Sequence, residues 1–139
     1  PEDALGVALA AAVAARSPEL VAAFKAAIPG AEGHAALTAA ALMGMNNVWY
    51  PFVEMAGDDE LKTMRAELRM NAYATSGGVS KLKFEAFALS ASIVGKCHFC
   101  VKSHHDLLKK EGVSTQQLRD IGRIAAVVNA AAQVLTAQA

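Results

Sequence analysis

The sequence predicts an all-α protein, a bundle of several helices forming one domain over residues 1–139. Three observations carry that expectation. Alanine fills 31 of the 139 positions, and it is both the best helix former and small enough to let helix axes approach closely. Hydrophobic residues reach 54% while aromatics are only 6%, which is unlike the β-branched and aromatic diet of a sandwich or barrel. Finally, no segment alternates apolar and polar residues with period two for long enough to make a strand.

The elements follow from their start and stop signals. A first helix is expected from Leu5 to Ala15. Ser17-Pro18-Glu19 combines an N-cap, a proline at the first helical position and an acid in the first turn. It opens a second helix that runs to Ile28, and Pro29-Gly30 ends it. A third is expected from His34 to Val48, with Pro51 beyond its end. Asp58 or Asp59 caps a fourth, reaching Asn71, and Thr75-Ser76-Gly77-Gly78 reads as a loop. Ser80 caps a fifth, which Gly95 ends. A sixth runs from Lys96 to Glu111 with Gly112 as its C′ residue, and the capping box Ser114-Thr115-Gln116-Gln117 opens a last helix to Thr136.

Composition excludes several classes. Lysine plus arginine and aspartate plus glutamate each number 13, so the electrostatic footprint of a nucleic-acid binder is missing. Charged residues make up 19%, below the usual ~25%, which points to a surface partly covered by other subunits. The longest apolar run, Ala4–Ala15, is shorter than the ~18–20 residues needed to span a bilayer. Glu2 and Asp3 precede it where a signal peptide wants positive charge, so a cytoplasmic location is expected. Because the first residue is Pro1, the numbered chain is expected to be a processed or trimmed product.

The chemistry concentrates in Cys97 to His105, CHFCVKSHH, which holds both cysteines and three of the four histidines. A bridge between Cys97 and Cys100 closes too small a loop to stabilise the fold much, so a Cys-x-x-Cys here means redox or metal chemistry. Gly95 breaks the preceding helix and places Cys97 near a helix N-terminus, where free backbone N–H groups favour a thiolate. Cys97 and Cys100 are i, i+3 and share a face on which a disulfide is geometrically feasible. His104, four residues after Cys100, stands on the same face; His98 and His105 read as surface residues.

Glu85 is the only charge from Phe84 to Val94, FEAFALSASIV. Burial in that apolar helix is expected to raise its pKa towards neutrality, which suits proton transfer from Glu85 through His104 to a thiol. The competing reading pairs Glu85 with Lys81 one turn back. Met43-Gly44-Met45 and Trp49, Tyr50 and Phe52 read as core or interface, and Asn46 and Asn47 as helix-terminal or buried hydrogen-bonding residues. Lys81, Lys83, Lys109 and Lys110 read as solvated charges.

This pattern resembles the alkyl hydroperoxide reductase D (AhpD) family of the carboxymuconolactone-decarboxylase-like superfamily. That family carries a glutamate twelve residues before a Cys-x-x-Cys and a histidine four residues after its second cysteine, and Glu85, Cys97, Cys100 and His104 fit each spacing. LMGMNNVWY and LRMNAYA look like its upstream helices. The resemblance implies an AhpD-like all-α fold that assembles into homo-oligomers, trimers or a multiple. It implies a thiol-dependent peroxidase and disulfide reductase with no bound cofactor. A dihydrolipoyl group on a lipoylated protein would be the reductant, and an AhpC-like peroxiredoxin the partner. By the same resemblance Cys100 forms the sulfenic acid, Cys97 resolves it, and Glu85 and His104 form the proton relay. Two features depart from the family. Phe99 stands where relatives with characterised relays carry a histidine, with His98 beside it, and the chain starts later than typical members, so an N-terminal helix is expected to be missing.

Two other readings use the same residues. Cys97, Cys100 and His104, with Glu85 or His105, could hold zinc, although structural zinc sites usually pair two separated knuckles and this chain has one. A non-enzymatic helical interaction protein would keep both thiols ordinary and unbridged.

Overall fold

The architecture is built around one central helix. In the computed structural model, which describes residues 2–68 and 70–138, every regular element is helical. The order is α1 (Glu2–Ala14), α2 (Pro18–Ala27), α3 (Ala31–Ala56), the single turn α4 (Asp59–Lys62) and the single turn α5 (Asn71–Ala74). A 3-10 turn (Ser76–Gly78) leads into α6 (Lys81–Gly95), α7 (His98–Lys110) and α8 (Thr115–Gln138). Helix α6 packs against α1, α3, α7 and α8, so eight of its residues are buried, from Phe84 to Ser92.

Alanine makes that packing close. Ala10, Ala11 and Ala12 on α1, Ala35, Ala36 and Ala39 on α3, and Ala88 and Ala91 on α6 have no exposed surface, and the space between the backbones is filled by Leu9, Met43, Phe84, Phe87 and Leu89. Gly6 shows how tight the α1–α6 crossing is, because a Cβ there would run into the ring of Phe87.

The caps largely sit where the sequence puts them. Ser17 accepts from Leu20 N at 3.5 Å with Pro18 behind it, and Ser80 accepts from Lys83 N at 3.2 Å. Ser114 and Gln117 make the reciprocal bonds of a capping box, Gln117 N to Ser114 Oγ at 3.1 Å and Ser114 N to Gln117 Oε1 at 3.0 Å.

Two of the expected helices end elsewhere, and α5 and the 3-10 turn at Ser76–Gly78 lie where the sequence predicts no separate helix. The third helix does not stop before Pro51 but continues to Ala56, where Gly57 in the left-handed region ends it. Pro51 removes one backbone bond, yet ring contacts hold the helix on either side: Trp49 against Phe52, and Tyr50 stacked on Phe99 of α7 at 4.3 Å. The fourth helix, expected to reach Asn71, is one turn capped by Asp58. No residue from 59 to 68 is buried, so a longer helix would gain no packing to stabilise it. No helix among the described residues is long and apolar enough to cross a membrane.

Candidate active site

The site forms where α6 turns into α7. Lys96 takes a left-handed conformation (φ 58°) after Gly95, and the chain reverses within one residue. Cys97 is therefore the N-cap of α7, a place usually held by serine or aspartate, and its sulfur accepts from Cys100 N at 3.3 Å. Any negative charge that forms on sulfur here lies at the positive end of a helix. The two cysteines are joined as a disulfide, their Cα atoms 5.3 Å apart.

Helix α3 closes the other side. The backbone carbonyl oxygen of Asn46 lies 3.6 Å from Cys100 Sγ and 3.8 Å from Cys97 Sγ. Asn47 donates to the carbonyl of Ala91 at 3.3 Å, and its side chain occupies the space a Cβ on residue 95 would need. Gly95, expected to break α6, is instead its last helical residue; Lys96 ends the helix, and the missing Cβ of the glycine admits α3 against the turn.

One turn along α7, buried His104 directs Nδ1 to Glu85 Oε2 at 2.5 Å. Because an ionised carboxylate only accepts, Nδ1 carries the proton in this bond. Nε2 sits 3.1 Å from the thioether of Met43. The reversal between α6 and α7 therefore brings Glu85 and His104 together. Nδ1 is taken by Glu85, Nε2 lies against the Met43 thioether, which has no proton to give, and no direct bond runs from the imidazole to a cysteine sulfur.

Glu85 is 1% exposed, yet its charge state differs from the expectation. Burial pushes its pKa up, but the hydrogen bonds from His104 and Tyr73, with the charges of His104 and Lys81, outweigh burial and hold it below the ordinary carboxylate value. The buried carboxylate is ionised, not poised near neutrality. Lys81 itself is exposed and acts only through its charge; the bonds to Glu85 come from His104 and Tyr73. Lys83, read as a solvated charge, instead pairs with Glu32 at 2.5 Å and Asp3 at 3.7 Å.

A cavity of about 200 Å³ opens beside the disulfide, walled by Cys100, His104, Tyr73, Tyr50, Phe99 and Asn46 among others; Cys97 takes no part in its wall. His98 is exposed and His105 half-buried beside Asp106, as expected of surface histidines. Among the described residues no group of three or more His, Cys, Asp and Glu side chains is arranged to hold a metal ion.

The sequence reading missed three participants. Tyr73 donates its hydroxyl to Glu85, Met43 faces His104, and Asn46 meets the sulfurs through its backbone. Tyr73 precedes Glu85 with a loop between them, so no helical phase relates the two. Met43 resembled any core methionine, and a carbonyl contact leaves no trace in residue type.

A buried Glu–His pair beneath a Cys-x-x-Cys at a helix N-terminus, in an all-α bundle, defines a thiol–disulfide redox protein. Residues 59–139 match the model of the carboxymuconolactone decarboxylase family. The whole chain is 41% identical to the alkyl hydroperoxide reductase AhpD of Rhodospirillum centenum, covering 76% of that protein. It is 44% identical to the AhpD of Maricaulis maris over 96% of this chain and 79% of that one. For the AhpD of Anaeromyxobacter dehalogenans the identity is 45%, over 97% and 74% respectively. The chain belongs to the carboxymuconolactone decarboxylase family, in its alkyl hydroperoxide reductase D group.

Proposed function

We propose that this chain is a thiol-dependent antioxidant enzyme that reduces alkyl hydroperoxides through the Cys97–Cys100 pair. The single observation that carries the assignment of roles is the difference between the two sulfurs: Cys100 walls the cavity beside the disulfide, whereas Cys97 has no exposed surface and caps the helix. Cys100 is the sulfur a hydroperoxide can reach.

In the reduced protein the Cys100 thiolate attacks the terminal oxygen of the hydroperoxide. The O–O bond breaks, the alkoxide takes a proton and leaves as alcohol, and Cys100 holds a sulfenic acid. Cys97 then attacks that sulfur, expels water and forms the disulfide. A dithiol returns both electrons by exchange through a mixed disulfide. Glu85 and His104 hold and move the protons, with the cavity giving room for a bridging water between the imidazole and Cys100.

The reductant assigned is a dihydrolipoyl group on a lipoylated protein, with an AhpC-like peroxiredoxin as the further partner. Self-association into a homo-oligomer, a trimer or a multiple, is supported by the exposed apolar side chains Val48, Phe52 and Met55, the last 79% exposed. A cytoplasmic location suits a pair that must be reduced in every cycle. The experiment is turnover of an organic hydroperoxide with dihydrolipoamide as electron source. Cys100→Ser should abolish it; activity that survives this substitution rejects the assignment.

A further inference from the structure

Glu85 is gripped from two sides. His104 on α7 holds Oε2, and the hydroxyl of Tyr73 on α5 donates to Oε1. Tyr73 lies outside the α6–α7 hairpin, and its ring is locked edge-on against Phe84 at 5.5 Å with an interplanar angle of 86°. It also walls the cavity that Cys100 and His104 share. Phe99, directly before Cys100, carries no exchangeable proton and stacks on Tyr50. Of the side chains walling the cavity, only His104 and Tyr73 bond to Glu85.

We propose that Tyr73 is a positioning residue of the redox site: its hydroxyl fixes one carboxylate oxygen of Glu85 and so keeps the other aligned on His104 Nδ1. A carboxylate held by one bond alone can rotate about its last side-chain torsion, which is broad and soft, whereas two bonds from different helices remove that freedom. Tyrosine suits the task because its proton stays in place. Burial first, then the bond and charge of Glu85, push its pKa upward, so the hydroxyl donates at every pH at which the protein works. The groups that act on the carboxyl are His104 from α7, Tyr73 from α5 and Lys81 on α6 itself. Met43 from α3 touches the imidazole and carries no charge.

The kinetic part of this proposal rests on the thiol-redox reading above, and the test separates the two. Tyr73→Phe keeps the ring against Phe84 and deletes only the hydroxyl. The Glu85 carboxyl is titrated by carbon-13 NMR in the wild type, in Tyr73→Phe and in Tyr50→Phe, which removes a hydroxyl from the same cavity without touching Glu85. In parallel, the rate of disulfide reduction by dihydrolipoamide is followed against pH, and melting is recorded for each variant. The expected result is a Glu85 midpoint raised by roughly one pH unit in Tyr73→Phe alone, with the acid limb of the rate profile moving by the same amount. A merely structural tyrosine would lower the melting temperature and leave both midpoint and limb in place, which overturns the proposal. A midpoint that moves while the limb stays put overturns the redox role. If the wild type shows no thiol–disulfide turnover, the thiol-redox reading fails, and the carboxyl midpoint alone decides whether Tyr73 positions Glu85.

Discussion

His104 Nδ1 meets Glu85 Oε2 at 2.5 Å across nineteen residues of sequence, and both side chains are buried. The contact exists because α6 and α7 run back against each other from the turn at Lys96. It keeps an ionised carboxylate in an apolar helix that would otherwise protonate it.

That buried carboxylate makes stability depend on acid. Glu85 titrates below its ordinary value of 4.5 in the folded protein, so the unfolded chain binds its proton more readily. The stabilisation is complete above 4.5 and is lost as pH falls through the lower folded value. Glu85→Gln should therefore cost about 2 kcal/mol at neutral pH, the scale of a hydrogen bond to a charged group. The gap to wild type should narrow below 4.5. Urea unfolding of both proteins at neutral and acid pH checks this, and a gap that stays constant would contradict it.

Gly95→Ala probes the seam between α3 and the cysteine turn. The added methyl meets the Asn47 side chain, whose bond to Ala91 holds the two helices together. Either Asn47 moves or the turn does, and overpacking of this kind costs about 1–3 kcal/mol. Calorimetry should show a melting temperature lower by several degrees, and an unchanged value would mean the seam is looser than drawn.

The sequence made the chemistry legible where it is local. Cap residues, the i, i+3 and i, i+4 spacings of Cys97, Cys100 and His104, and a lone acid in an apolar helix all follow from one chain segment at a time. Pro51 and Tyr73 were opaque for the opposite reason. Pro51 is accommodated because Tyr50 beside it stacks on Phe99 nearly fifty residues away, and Tyr73 reaches Glu85 from a separate short helix. The sign of the Glu85 shift escapes the sequence on the same account: burial can be read from apolar neighbours, whereas the bond from Tyr73, which joins the bond from His104 and the charges of His104 and Lys81 in outweighing it, cannot.

Ser114→Ala tests stability away from the redox site. It removes the hydroxyl that accepts from Gln117 N, while the bond from the backbone N–H of residue 114 to Gln117 Oε1 remains. The expected loss is about 1 kcal/mol, seen as a small drop in melting temperature. Hydroperoxide turnover measured well below the transition should stay at the wild-type level. A large loss of turnover would mean that α8 bears on the site more directly than its packing indicates.

The two cysteines should fail in different ways when changed singly. Cys100 faces the cavity and Cys97 is sealed at the helix cap; on the proposed roles, peroxide should oxidise the first and the second should resolve it. In Cys97→Ser the sulfenic acid on Cys100 has no partner within the chain and persists long enough to be trapped by dimedone. In Cys100→Ser the remaining thiol has no opening to the cavity, and no adduct should form on brief exposure. Mass spectrometry of both variants after mild peroxide distinguishes the cases: one dimedone adduct in the first, none in the second, and a loss of two hydrogens in the wild type. An adduct on Cys97 with Cys100 absent would reverse the assignment, because the sulfur that caps the helix would then be the one the oxidant reaches.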